Sequence, residues 1–220
     1  MKFMFSSLGR KIQIAITGIL LSVFLVFHLL NNLVLFLGPE AFNAMVSFLE
    51  SVKPMIRIME FGLVVVVLTH IVNAVVLTIS NKRSAVKRYA GAPRETSSIS
   101  SRTMIVSGLS IFLFFVIHLK YIWYTYQAHL FTEKETYYDV LLRNSWGYLG
   151  HTPTAIFYIV AILLIGSHLK HGFQSAMKTF GLSEASPKWR FFYKVSFLFW
   201  GVIPGAFIFI VISIQLGIIR

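Results

Sequence analysis

The chain carries five apolar runs long enough to cross a lipid bilayer, and these limit its fold more than any motif does. A hydrocarbon core about 30 Å thick takes roughly 20 helical residues. The runs Ile12 to Leu37, Met55 to Ile79, Thr103 to Tyr126, Pro153 to Met177 and Val195 to Ile218 all meet that length. With no water in the core to satisfy backbone N–H and C=O groups, such runs must be helical. The sequence therefore predicts an all-α membrane protein of five transmembrane helices, one domain over residues 1–220. Composition agrees, since 56% of residues are hydrophobic and 13% charged, with a mean hydropathy of +0.74, whereas soluble domains carry about 25% charged residues. The first run follows Lys2, Arg10 and Lys11 as a signal peptide would, but it exceeds the usual apolar length of about 7–15 residues and no small-residue cleavage site follows. It is expected to stay in the mature protein.

Twenty Lys and Arg against eight Asp and Glu give a net charge of +12. The basic residues cluster between apolar runs rather than along one solvated face, which points to topology or an anionic ligand and away from nucleic acid. Lys82, Arg83, Lys87, Arg88, Arg94 and Arg102 lie between the second and third runs, and Lys178, Lys188, Arg190 and Lys194 between the fourth and fifth. By the positive-inside rule these loops and the N-terminus are cytoplasmic and the C-terminus is outside. The outer loops hold residues suited to the membrane interface, among them Phe42, Met45, Phe48, Tyr137, Tyr138, Trp146 and Tyr148. Pro204, between Gly201 and Gly205, is expected to kink the fifth helix.

There is no cysteine, which excludes disulfides, an iron-sulfur cluster, thiolate-ligated metals and covalently attached c-type haem. Any redox centre must use histidine. Of seven histidines, His28, His70, His118 and His168 each fall within a different one of the first four runs. Ionisable residues inside spans are functional candidates. At 1.5 Å rise per residue, His28 lies about 24 Å and His118 about 21 Å from the inner ends of their helices, while His70 and His168 lie about 12 to 15 Å from theirs. Two side chains at one depth on different helices suit the two faces of one iron, so two stacked b-type haems within a bundle of the first four helices satisfy all four histidines.

Small residues follow the same logic. Thr17-Gly18 precedes His28 by the spacing at which Ser107-Gly108 precedes His118, placing each glycine about 15 Å inward, near the inner pair. Gly62 and Ala161 precede His70 and His168 in helices that run the other way, and so fall near the outer pair. Lys120 and Lys170 each follow a candidate ligand by two residues and are cations available to haem propionates. A histidine in a span also serves as an interhelical hydrogen-bond partner, and small residues mark plain helix packing. His171 shares a helix face with His168 and competes with it as ligand. His129 and His151 are read as outer loop residues.

Taken together, Arg10-Lys11, Thr17-Gly18 and FLVFHLLNN in the first run, HIVNAVVLTISNKRSAVKRY from His70, SRTMIVSGLSIFLFFVIHLK ending beyond His118 and SHLKHGFQSAMKTFGL around His168 resemble the cytochrome b membrane-anchor subunit of succinate dehydrogenases and fumarate reductases, in its single-chain, two-haem form. The resemblance covers nearly the whole chain. It implies that His28 and His118 ligate the haem distal to the catalytic subunits and His70 and His168 the proximal one, and its pattern of His, three residues, then Gly fits His168 to Gly172. It further implies flavoprotein and iron-sulfur subunits on the cytoplasmic face of a bacterial inner membrane, and a membrane quinone, menaquinone or a similar one, as electron acceptor. Some fumarate reductases of this family carry a Glu two residues before the helix-four ligand, where this chain has Gly166. That proton route is not expected here.

A quinone site needs an apolar slot and a group that exchanges protons. Glu60, roughly 8 Å below the outer surface, is one candidate carrier, and Glu50, at the outer end of the first loop, is the carrier that the family resemblance implies. For Glu60 an ion pair with Arg57 at i, i+3 is the competing reading, and for Glu50 an exposed loop carboxylate. Asn31 and Asn32 are either quinone hydrogen-bond donors or polar helix-end residues. Two other functions fit the same residues: the dihaem subunit of another quinone-linked enzyme, such as a hydrogenase or formate dehydrogenase, and a transporter or scaffold whose histidines only hydrogen-bond.

Overall fold

The structure, a computed structural model, describes residues 3–88, 99–128 and 135–220. Lys2, the loop residues Arg94 and His129, and the side chains of Lys82, Lys87, Arg88 and Arg102 lie outside what is described. Among the described residues the chain is helical, with no strand. Five helices are long and apolar enough to span a membrane: Ser7–Leu37, Lys53–Asn81, Met104–Gln127, Thr152–Thr179 and Pro187–Gln215, here spans one to five.

Spans one and five begin a turn or more before their apolar runs. Span one starts at Ser7 rather than Ile12 because the Ser6 hydroxyl caps it, accepting from the Gly9 N–H at 3.0 Å. Span five starts at Pro187 rather than Val195 because Ser186 accepts from the Trp189 N–H at 3.1 Å and proline occupies the first turn, where its missing N–H costs nothing. Lys188, Arg190 and Lys194 therefore sit on the first turns of a helix, not in a loop. Hydropathy counts apolar residues, whereas a helix starts where its first N–H groups find a cap.

Close packing joins span one to spans two and four, span three to span four, and span five to spans four and one. The end of the bundle where spans one and two, and spans three and four, are joined, the outer end in the topology expected from charge, is closed by two short helices. Pro39–Ser51 follows Gly38, whose φ of 90° is a conformation that glycine adopts without strain. Tyr137–Leu141 is held by a capping box between Thr136 and Asp139. The most deeply buried apolar side chains gather here, including Leu35, Tyr138, Val140 and Leu141. Arg143 is bound by both oxygens of Glu135 at 3.0 and 2.8 Å, which pushes its guanidinium pKa further above the ordinary value. Along the middle of span two, Val64, Val65, Leu68 and Val72 are exposed, as lipid-facing residues are.

Spans three and five each contain a π-helical turn, at Leu119–Tyr124 and Leu198–Val202. The second bears on the expected kink at Pro204, because the irregular turn comes just before the proline and a regular helix resumes over Ile203–Gln215. Pro204 has no N–H to give the carbonyl of Trp200, which residue 204 would serve in a regular helix. Span four approaches this carbonyl closely. A Cβ on Gly166 would stand 3.0 Å from the Trp200 oxygen and 3.6 Å from the Pro204 ring, so glycine at 166 lets spans four and five close on each other.

Candidate functional site

The structure brings His28 and His118 together. Their ring centroids are 5.7 Å apart with planes at 89°. His28 stacks on Phe24 and lies 5.5 Å from Phe207 of span five; His118 stacks on Phe114, and its Nδ1 is 3.3 Å from the Tyr158 hydroxyl. Spans one and three, which carry this pair, are not close-packed partners, so the histidines meet across the bundle. Two imidazoles on one metal, each bonded at about 2 Å, hold their centroids roughly 6 Å apart. The observed separation is of that order.

The inner pair is built from hydroxyls. His70 Nδ1 is 3.0 Å from the Thr17 hydroxyl, and that hydroxyl lies 2.6 Å from the Gln13 carbonyl. His168 Nδ1 is 3.2 Å from the Ser107 hydroxyl, which lies 3.0 Å from the Met104 carbonyl. Each hydroxyl has a backbone carbonyl within reach to take its one proton, which leaves the oxygen able to accept from the ring. In the Nδ1–H tautomer each ring donates to its hydroxyl, and His70 also reaches the Ile14 carbonyl. Nε2 is left with its lone pair, the arrangement a metal-ligating histidine needs. The neighbouring glycines make room: a Cβ on Gly18 would stand 3.4 Å from His70 Cε1, and one on Gly108 3.6 Å from His168 Cε1. His70 and His168 are also close enough to interact electrostatically.

Four histidines on four helices, drawn into two levels, are the side chains that would serve as the donor set of two bis-histidine haems. Among the described residues no three His, Asp or Glu side chains converge on one point. The remaining candidates separate. A Cβ on Gly62 would meet nothing within 4 Å, while Ala161 is buried. Lys120 and Lys170 are exposed, their ammonium groups over the Tyr121 and Trp200 rings at 5.1 and 4.9 Å. His151 bonds the Thr154 hydroxyl at 3.0 Å at the start of span four, as a helix-end residue. Asn32 donates to the His28 carbonyl at 2.7 Å, and Asn31 is exposed.

Both outer carboxylates are engaged. Glu60 accepts from Arg57 at 2.6 Å through one oxygen and from the Trp123 indole at 2.8 Å through the other. Arg57 also donates to Gln127 and lies over the Trp123 ring, so this cluster clasps span two to span three at the outer end. Glu50 pairs with Lys53 at 3.2 Å and hydrogen-bonds the Tyr126 hydroxyl. Trp123, Gln127 and Tyr158 were not singled out by sequence reasoning, and Thr17 and Ser107 entered it only as small residues. Compared with protein-family models, with curated proteins and with solved structures, the chain finds no match.

Proposed function

We propose that the chain is the dihaem cytochrome b membrane anchor of a succinate:quinone oxidoreductase. It takes electrons from a flavoprotein and an iron-sulfur subunit on the cytoplasmic face and delivers them to a membrane quinone. The observation that carries this reading is the pairing at the inner level: His70 and His168 each have Nδ1 within hydrogen-bonding distance of a hydroxyl on a neighbouring span, and the Nδ1–H tautomer leaves Nε2 as a lone-pair donor. His70 and His168 would hold one haem, His28 and His118 the other. When bound, haem supplies reversible one-electron chemistry. The protein's part is to orient four imidazoles, exclude water around them and supply cations, for which Lys120 and Lys170 are placed two residues beyond their histidines.

Proton exchange with quinone falls to the outer side. Of the two carboxylates, Glu50 suits it better, because it touches a tyrosine hydroxyl and is 41% exposed, whereas both oxygens of Glu60 are spent on the clasp. Lys178, Lys188, Arg190 and Lys194 form the docking side for the hydrophilic subunits in a bacterial inner membrane with the N-terminus inside.

Acid-acetone extraction with pyridine haemochrome analysis should return two non-covalent haems per chain, and succinate should reduce them in the purified complex. Reduction by hydrogen or formate alone would assign the chain to another quinone-linked enzyme. The Thr17–His70 and Ser107–His168 bonds also suit a redox-silent scaffold, since they tie spans together; a colourless purified protein would select that reading.

A further inference from the structure

Tyr158 is only 4% exposed in a span otherwise apolar at this depth, and a buried tyrosine hydroxyl requires a partner. Its partner is on another helix. The oxygen lies 3.3 Å from Nδ1 of His118, while its ring is fixed edge-on by Phe114, 5.0 Å between centroids, and by Phe157 at 6.2 Å. We propose that Tyr158 is the positioning residue of the outer site, accepting the Nδ1 proton of His118 so that Nε2 points toward His28, and thereby sets the reduction potential of the haem those two hold. The inference rests on the dihaem reading.

The direction of the bond follows from proton counting. A neutral imidazole has one N–H, and a nitrogen bound to iron has none, so His118 ligating through Nε2 carries its proton on Nδ1 and Tyr158 must accept it. Accepting that proton raises the basicity of the ligand and stabilises the oxidised iron, which lowers the potential. The inner histidines have aliphatic hydroxyls in the same place, at 3.0 and 3.2 Å. A phenol is a weaker acceptor than an aliphatic hydroxyl, and this difference sets the outer level apart from the inner.

Tyr158→Phe keeps the ring and removes only the oxygen. Redox-titrated spectra of the whole complex should show the midpoint of one component rising, the same component that disappears in His118→Ala, with the other unmoved. Two haems present and neither midpoint shifted would overturn the role of Tyr158 and leave the dihaem reading standing. No haem in the wild-type complex would overturn that reading, and the proposal with it. If Tyr158→Phe fails to accumulate, electron spin echo spectroscopy of the oxidised wild type reads the remote imidazole nitrogens directly. A hydrogen-bonded remote nitrogen on a ligand of the outer component supports the proposal, and unbonded remote nitrogens on both of its ligands overturn it.

Discussion

At the inner level each histidine is fastened to the span beside it, His70 of span two to Thr17 of span one and His168 of span four to Ser107 of span three. At the outer level His28 and His118 instead face each other among Phe24, Phe114 and Phe207. Inner ties join neighbours, and the outer contact joins spans that do not pack closely. The difference shows how one bundle holds four polar side chains in an apolar interior. A hydroxyl partners Nδ1 of each inner ring, and His70 reaches the Ile14 carbonyl as well, whereas the outer rings rely on aromatic contact and one phenol. The repeat is visible in the chain: a hydroxyl followed by glycine, then histidine eleven residues after the hydroxyl, once in span one and once in span three.

The largest effects should come from the histidines themselves. Replacing His28 or His118 by alanine should remove one spectral component, and replacing His70 or His168 the other; loss of the inner component in His171→Ala with retention in His168→Ala would reassign the ligand. Next come the glycines. At Gly18 and Gly108 an alanine meets the facing imidazole at 3.4 and 3.6 Å, ordinary contact, so both alanine variants should be close to neutral. Leucine at either position must displace the ring, costing about 1–3 kcal/mol as overpacking does, and should lose the inner component while sparing the outer. Gly166→Ala behaves differently, because its Cβ meets a backbone oxygen at 3.0 Å rather than a side chain. It should destabilise by a similar amount without selecting either component.

Thr17→Val and Ser107→Ala are gentler, since each strands one imidazole N–H rather than moving it. The cost of an unmet buried donor is about 1–3 kcal/mol; for His70 the Ile14 carbonyl remains, so Thr17→Val should lie at the low end and Ser107→Ala higher. Detergent-phase thermal unfolding ranks them. Equal destabilisation would mean that the second acceptor at His70 contributes nothing.

Much of this was legible in one dimension. Span number follows from hydropathy, and the two histidine levels follow from 1.5 Å per residue, because depth in a membrane is set by sequence position alone. Rotation about each helix axis is not. Thr17 and Ser107 stood in view beside their glycines, but which way a hydroxyl faces depends on how spans one and two, or three and four, turn toward each other. Tyr158 had a signal, a lone hydroxyl in an apolar run at about the depth of His118, and only the packing of spans three and four joins it to that ring. Gly62 shows the same limit: a Cβ there would meet nothing within 4 Å, and what a small residue faces is a matter of rotation. The early starts of spans one and five were written in Ser6 and in Ser186-Pro187, capping signals that hydropathy passes over.

The smallest expected effect distinguishes the two outer carboxylates. In Glu60→Gln the amide oxygen still accepts from the Trp123 indole and Arg57 still reaches Gln127, so only the charge of the pair is lost. With Arg57 42% and Glu60 29% exposed, that charge is screened, and pairs of this kind are worth about 0–1 kcal/mol. Both oxygens of Glu60 are already taken by the clasp. Glu60→Gln should therefore leave both spectral components and most quinone-linked turnover intact. Glu50→Gln removes a carboxylate in contact with the Tyr126 hydroxyl and should lower quinone-linked turnover, while succinate oxidation by an artificial acceptor is unchanged. If Glu60→Gln abolishes turnover and Glu50→Gln does not, the clasp between spans two and three is itself the proton route, and the outer level does more than hold a pair of rings.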